Sequence, residues 1–505
     1  PFDYWTRATR VIPYAINEFP FFSFLFADLH AHVIALPMSL LALALLLDLV
    51  GHGESAVGGL LPSLGGLALA LGSLSATNVW DLIPYALLTA AMLVAQGWRA
   101  RRWPGVGRNL LLGLGVALGG YALFWPFVRA YVPIEAGLRV LGSGDRTPQL
   151  AAWVVWGPQL FLATSLLAWW ARPWVRRLPG GWWLVVVMCF LAAVGGAWLG
   201  LGAIGLYLPV LVGAAWMACL PRLSSRSRLQ RCLLVLALGM MAGVELVYVA
   251  DFLDGTEWRR MNTVFKFSFQ AWVLLGIALG ASLPALCRRI RRAGGWGVAW
   301  RTATAVLLGA AAAYVPLATR ARVNERFADA GPRWTLDGAA FMETAVYYWP
   351  DADHPIALAH DLDVIRWLWD NAAGTPVLAE APLGYYREAG GRIASFTGLP
   401  NLLGMHQYEQ RPWGAVMARE RDAERLYSAV DPVAVAGVLD RHRVGYVYVG
   451  QLERAAYRAT GMAGLDGLVE HGVLVAAYHN EGGVLYRVDV TRLEATLDEQ
   501  GRATG

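Results

Sequence analysis

Ionisable side chains are scarce over the first two thirds of this chain, and the outstanding ones gather in three short segments. NEFPFFSFLFADLHAHVIALP carries Glu18, Asp28, His30 and His32 among aromatics, just before a long apolar run. Ionisable groups at membrane depth are costly and persist where they have a task or a partner. On a helix, Asp28 and His32 stand at i and i+4 on one face, which suits a shared metal ion or a carboxylate that orients an imidazole. The plainer alternative is an interfacial segment whose polar groups meet lipid headgroups. TNVWDLIPY carries Asn78, Trp80, Asp81 and Tyr85 in a very short turn between apolar runs. Asp81 there either caps the next helix, with Trp80 as an interface anchor, or joins the first segment in one site.

The third segment, ELVYVADFLDGTEWRRMNTVFKFSFQAW, is the richest, with Glu245, Asp251, Asp254, Arg259, Arg260, Asn262, Lys266 and Gln270. Lys266 is the only lysine in a chain that otherwise uses arginine, and the two cations are not interchangeable. Clustered cations at a membrane surface suit the phosphate or pyrophosphate of a lipid. Internal pairing with Asp251, Asp254 and Glu257 is the alternative. Arg146 and Glu135 lie in another loop and are indistinguishable from solvated charges.

Positioning these segments requires a membrane bundle. Hydrophobic residues make up 57% of the 505 and charged residues only 16%, far from an ordinary globular composition. Apolar windows of spanning length fall near residues 33–51, 58–76, 83–98, 109–128, 152–171, 181–199, 202–219, 231–250, 267–287 and 300–318, so the expectation is a polytopic α-helical membrane protein with about ten spans. The formal charge of +5 does not point to nucleic acid, because the arginines sit in short loops between apolar runs. Basic loops at 99–108, 172–177, 222–231 and 288–301 each follow an odd-numbered span. The positive-inside rule makes all four cytoplasmic and puts residues 1–32, 77–82, 129–151, 251–266 and everything after 320 on the other side. All three polar segments therefore face outward, and the cations of the third break the charge rule locally. Pro1 opens a polar and aromatic stretch with no cleavable signal, as expected of a chain that lacks upstream helices.

Residues 1–320 are thus expected to form the transmembrane domain and 321–505 a soluble, extracytoplasmic α/β domain. In the latter, a helix-like DVIRWLWDNA precedes TPVLAEA, VGYVYVG, GVLVAAYHN and GGVLYRV, apolar strands interleaved with helical patterns. Its unusual loop holds Arg392, His406, Glu409, Arg411 and Trp413; recognition and a bland surface are equally open. All four cysteines, Cys189, Cys219, Cys232 and Cys287, lie in or beside spans, so the 321–505 region has no disulfide. P-loop, dinucleotide, Gly-x-Ser-x-Gly and His-Glu-x-x-His motifs are absent, which argues against soluble nucleotide donors.

INEFPFFSFLFADLHAHVIALP, TNVWDLIPY and RRMNTVFKFSFQAW, in that order, resemble the uncharacterised membrane family called the chlorarchaeal YYY domain, over most of residues 1–320. The tyrosine motif that names that family is not apparent here. Its architecture is similar to that of the GT-C glycosyltransferases, polytopic enzymes that take a sugar from a polyprenyl-phosphate carrier at the outer membrane face; TLDG, PVLAEA and ASFTGLPNLLG resemble segments that follow the spans in such proteins. The resemblance implies an outward acidic residue as base or metal ligand, and Asp28, with Glu18 nearby, is the candidate. The usual carboxylate pair after a first helix is not identifiable.

The expected function is inverting sugar transfer at the plasma membrane, from a polyprenyl-phosphate-linked sugar to an unidentified acceptor. Asp28, Glu18 and His32 are the candidate catalytic residues, with Asp28 and His32 alternatively holding a divalent cation, Mg or Mn. Arg259, Arg260, Lys266, Asn262, His30, Asn78 and Asp81 are the candidate substrate and lipid-phosphate ligands. Membrane lipids are the other partners. A transporter, with Glu245 on the substrate path, and an envelope-assembly scaffold are the rival readings.

Overall fold

The computed structural model describes residues 2–27, 30–51, 57–99, 103–131, 137–175, 181–221, 223–290, 294–326, 335–383, 389–404, 412–457 and 462–504. The chain divides into two compact units, Pro1–Arg322 and Val323–Gly505.

In the first unit, α1 (Thr6–Thr9) and α2 (Pro20–Phe26) precede α3 (Ala31–Gly51), α4 (Val57–Thr77), α5 (Val79–Arg99), α6 (Trp103–Leu123) and the short α7 (Trp125–Ala130). Strand β1 (Gly137–Val140) leads to α8 (Gln149–Val175), α9 (Gly181–Trp198), α10 (Ile204–Ala218) and α11 (Ser225–Gly243). Strand β2 (Val247–Ala250), α12 (Met261–Ile290) and α13 (Gly294–Arg326) complete the series. Helices dominate because, without water to satisfy them, backbone amides and carbonyls must pair within the segment. Prolines inside α3, α4, α5, α8, α10, α12 and α13 are tolerated in such a setting because neighbouring helices and side chains re-satisfy the freed groups.

Among the described residues, seven helices are long and apolar enough to cross a membrane, and Val185–Trp198 and Ile204–Ala218 are shorter apolar helices. Three of the ten expected runs are not among these seven. The run over 202–219 forms a helix of 15 residues, Ile204–Ala218, and the run over 181–199 forms the helix Gly181–Trp198, of which Val185–Trp198 is described throughout. The expected span 231–250 does not hold as one: α11 opens on SRSRLQR and ends at Gly243, and residues 247–250 pair antiparallel with 137–140 as β2 against β1.

The bundle sorts its polar residues by end. At one end Tyr14 packs on Trp258, Arg322 donates to the Tyr4 hydroxyl, and the Ala203 amide donates to the Thr147 carbonyl. At the other, Arg228 and Arg231 donate to the carbonyls of Ala218, Leu220 and Met217, and Trp300 donates to Ser165. Glycines let α4 and α6 cross closely: a Cβ on Gly120 would lie 2.8 Å from the Ala68 carbonyl oxygen.

The second unit begins with β3 (Val346–Tyr348) and β4 (Pro355–Ala357), an antiparallel pair, and α14 (Leu358–Asn371). Then come β5 (Val377–Ala379), α15 (Arg392–Thr397), α16 (Trp413–Ser428), α17 (Pro432–Arg441) and β6 (Val444–Val449). The last elements are α18 (Gln451–Ala456), α19 (Ala463–Glu470), β7 (Leu474–Asn480), β8 (Gly483–Val488) and α20 (Val490–Thr504). The sheet order is β5-β6-β8-β7, with β5 and β6 parallel and the other pairs antiparallel. Alternation along β6 sends Val447 into the core shared with α16, α17 and α19, and Tyr446 and Tyr448 into the core shared with α14. The result is a helix–sheet–helix layering.

Candidate functional site

The segment before α3 folds back on itself. Pro20 at the start of α2 presets a helical φ, and Ala27 ends it in the left-handed region at φ 61°. The reversal sets Glu18 beside His32. The Ser23 hydroxyl donates to Glu18 Oε2 at 2.9 Å, His32 Nε2 lies 3.7 Å from the same oxygen and 3.4 Å from Ser23 Oγ. His32 is buried edge-on between Phe265 and Phe269 of α12, both at 4.7 Å, with the His30 ring tilted against it at 4.9 Å. Burial raises the Glu18 carboxyl above the usual glutamate range, while Ser23, Arg10, His30 and Lys266 pull it back down.

Lys266 approaches from α12, where the i, i+4 repeat puts Lys266 and Gln270 on one face and Phe265 and Phe269 on the adjoining one. Its ammonium sits 4.4 Å over the Phe265 ring and acts electrostatically on both Glu18 and Asp81. Asp81 is in the first turn of α5 and is completely buried, with Asn78 beside it just before the helix. One turn on, the Tyr85 hydroxyl donates to Gln270 Oε1 at 2.7 Å, and Trp80 packs edge-on against Phe267. Among the described residues no backbone amide bonds either Asp81 oxygen, so Asp81 does not cap its helix; the Asn78 and Gln270 side chains act on its carboxyl instead. Three segments far apart in sequence thus bring Glu18, His30, His32, Asn78, Asp81, Lys266 and Gln270 to one end of the bundle.

The arginines of the third segment have other partners. Arg260 is buried, with Nη1 3.2 Å from Glu245 Oε2 and Nη2 donating to Thr147 Oγ1 at 2.8 Å. Thr147 donates to Glu245 through its amide at 2.7 Å and its hydroxyl at 2.6 Å. Arg259 pairs with Asp145 at 2.7 Å, and the Asn262 amide donates to Asp251 at 2.7 Å. Chain carboxylates therefore compensate both arginines, although they are Glu245 and Asp145 rather than Asp251, Asp254 or Glu257. Thr147 gave no signal in sequence beyond its place in GSGDRTP, and Ser39, a lone serine in an apolar run, gave none.

Asp28 lies outside the described residues, as do Glu135, His406, Glu409 and Arg411. Among the described residues no group of three or more His, Cys, Asp and Glu side chains could hold a metal ion. The candidate cation ligands Asp28 and His32 include one residue outside the described ones, and His32 with Glu18 alone is a smaller ligand set than a divalent cation takes.

The second unit has its own ionic cluster. Arg392, at the start of α15, bridges Asp361 at 2.7 and 3.1 Å and Glu453 at 3.2 and 3.0 Å, and Tyr448 donates to Asp361 at 2.6 Å. Glu380 accepts from the amides of Ile393 and Ala394 and from Asn401. Burial pushes Glu380 up to about 7. Every member is engaged with another, which makes the cluster a brace for the α15 region. Trp413 is exposed at the start of α16.

The chain belongs to the family described as Uncharacterized membrane protein (DUF2298), whose model matches residues 2–275, a stretch that includes all three polar segments. It is a multi-pass membrane protein. No curated protein matches the chain.

Proposed function

We propose, proceeding from that membership, that the protein is a glycosyltransferase that moves a sugar from a polyprenyl-phosphate carrier to an acceptor hydroxyl at the non-cytoplasmic face. The observation that carries the reading is the position of Lys266, within electrostatic reach of Glu18 and Asp81 and against His32's aromatic cage. Support for the face comes from the arginine loops, which gather at the opposite end of the bundle, where the positive-inside rule puts the cytoplasm; residues 323–505 then lie outside the cell membrane.

In this reaction Glu18 takes the acceptor's hydroxyl proton, held by Ser23 and His32. The acceptor oxygen forms a bond to the anomeric carbon as that carbon's bond to the phosphate oxygen breaks on the opposite side, which inverts the centre. The electron pair leaves with the polyprenyl phosphate, which gains a negative charge, and Lys266 stabilises that charge as it develops. His30 and Asn78 border the substrate, and Asp28, next in sequence to this cluster, is the second carboxylate. Arg259 and Arg260 take no phosphate, because their charges are already balanced.

The test is transfer from a radiolabelled short-chain polyprenyl-phosphate hexose by the full chain in nanodiscs. Glu18→Gln and Lys266→Met are each expected to lower the rate by about 100-fold or more; full activity in both variants would overturn the reading. The burial of Asp81 and Gln270 within the bundle favours a second reading, transport. Sugar-lipid uptake into proteoliposomes without transfer would select it.

A further inference from the structure

Helices α4, α5 and α6 are each long and apolar enough to cross a membrane, and between them runs a groove of about 680 Å³, a size that holds a small ligand. Small residues open it: Ala86 and Ala90 on α5, and Gly113, Ala117 and Gly120 on α6. Leu71, Leu93 and Val116 form a buried floor, whereas Leu87, Leu110, Leu114 and Tyr121 line it and are each more than half-exposed. The groove is therefore continuous with the apolar surface that a multi-pass protein turns to lipid. Its lining runs from Leu82 to Val94 on α5 and from Asn109 to Tyr121 on α6, about 18 Å of helix at 1.5 Å per residue. That is close to the depth of one leaflet, half of a hydrocarbon core of about 30 Å.

The buried and half-buried polar residues of the lining have their donors engaged. The Ser75 hydroxyl donates to the Gly72 carbonyl, the Thr89 hydroxyl to the Tyr85 carbonyl, and the Asn109 amide to the Leu93 carbonyl at 2.9 Å. What remains is a hydrocarbon wall. A sugar or an ion entering it would give up hydrogen bonds to water and gain none, whereas a lipid chain gives up nothing and gains dispersion contacts along the whole length. The two ends differ in charge. At the Asn109 end the half-buried Arg108 donates through Nε to Asn109 Oδ1 at 3.4 Å, and it belongs to the arginine loop 99–108 that the charge rule assigns to the cytoplasm. A guanidinium pairs with a phosphate through parallel hydrogen bonds, and anionic phospholipids are enriched in that leaflet. At the other end Arg129 follows the lining residue Val128, but it is exposed on the short α7.

We propose that the groove between α4, α5 and α6 is a binding site for one anionic phospholipid of the arginine-loop leaflet, with an acyl chain laid along α5 and α6 and the phosphate held by Arg108. The site is independent of sugar transfer.

The experiment is photolabelling of the full chain in phosphatidylcholine nanodiscs doped with a phosphatidylglycerol that carries a diazirine on its acyl chain, followed by peptide mapping. Adducts concentrated on the groove, at Leu87, Leu110 and Leu114, and competed away by unlabelled phosphatidylglycerol, are the expected result. Labelling spread evenly over other bilayer-facing helices such as α13 would mean ordinary lipid contact and overturn the proposal. Arg108→Gln should weaken the labelling about fivefold and Arg129→Gln should leave it unchanged; the reverse pattern would place the phosphate at the opposite membrane face and refute the assignment. Ala90→Trp, which fills the groove, should abolish the adducts, with thermal unfolding in detergent as the check that it folds; if it does not fold, the two arginine variants decide. Displacement by farnesyl phosphate at concentrations where phosphatidylglycerol has no effect would also overturn the proposal, because the groove would then take an isoprenoid chain.

Discussion

Replacing Arg260 by methionine separates structural from phosphate-binding cations. Arg260 is 4% exposed and Glu245 is 2% exposed, so their pair is screened from water. Removing the arginine leaves Glu245 charged and buried, with only the amide and hydroxyl of Thr147 as donors. Breaking such a pair by deleting one partner costs about 3–5 kcal/mol, a melting temperature lower by roughly 6–10 °C. Glu245→Gln made together with Arg260→Met removes both charges while the new carbonyl still accepts from Thr147. The double variant is therefore expected to regain most of the loss, with a coupling energy that a double-mutant cycle extracts. The assay is fluorescence-detected thermal unfolding in detergent, alongside farnesyl phosphate binding. A single Arg260→Met variant that melts like the native protein but loses the phosphate ligand would refute the reasoning and return Arg260 to the binding site.

Other consequences concern pH and packing. Burial raises the Glu18 carboxyl, so transfer is expected to rise with pH through an inflection above the ordinary glutamate range, near 4.5; Glu18→Gln should abolish that limb of the rate profile. Glu380, raised from 4.5 to about 7, binds a proton more tightly when folded. Its contribution is fully present below pH 4.5 and is lost as pH rises to about 7, by at most about 3 kcal/mol. Hydrogen exchange at the Ile393 and Ala394 amides, corrected for intrinsic rate, should report a local opening that becomes easier over that interval, and a pH-independent opening would contradict it. Gly120→Val drives a side chain into the Ala68 carbonyl and Gly72, and should cost about 1–3 kcal/mol in the same thermal assay; an unchanged melting curve would mean that α4 and α6 are free to separate.

Much of the architecture was legible because it depends on local properties. The length and apolarity of a run decide whether it must satisfy its own backbone, and α3, α4, α5, α8 and α12 lie close to the windows read from composition. The apolar runs VGYVYVG, GVLVAAYHN and GGVLYRV likewise became β6, β7 and β8. The final residues of the 231–250 run were misread, because apolar β-branched residues suit a strand as well as a span, and only pairing with residues 137–140 decides between them.

The sequence alone determined that the chain is a membrane bundle with its arginine loops and its polar segments kept apart, since hydropathy and loop charge act over a few turns. Which partner each cation meets was decided by the tertiary structure. Arg260 and Lys266 are six residues apart and equally plausible on paper, yet Arg260 meets Glu245 and a threonine 113 residues away, while Lys266 lies over the Phe265 ring within electrostatic reach of Glu18 and Asp81. A side chain's partner depends on which distant segment the packing brings within a few ångströms, and residue type and spacing carry no record of that distance.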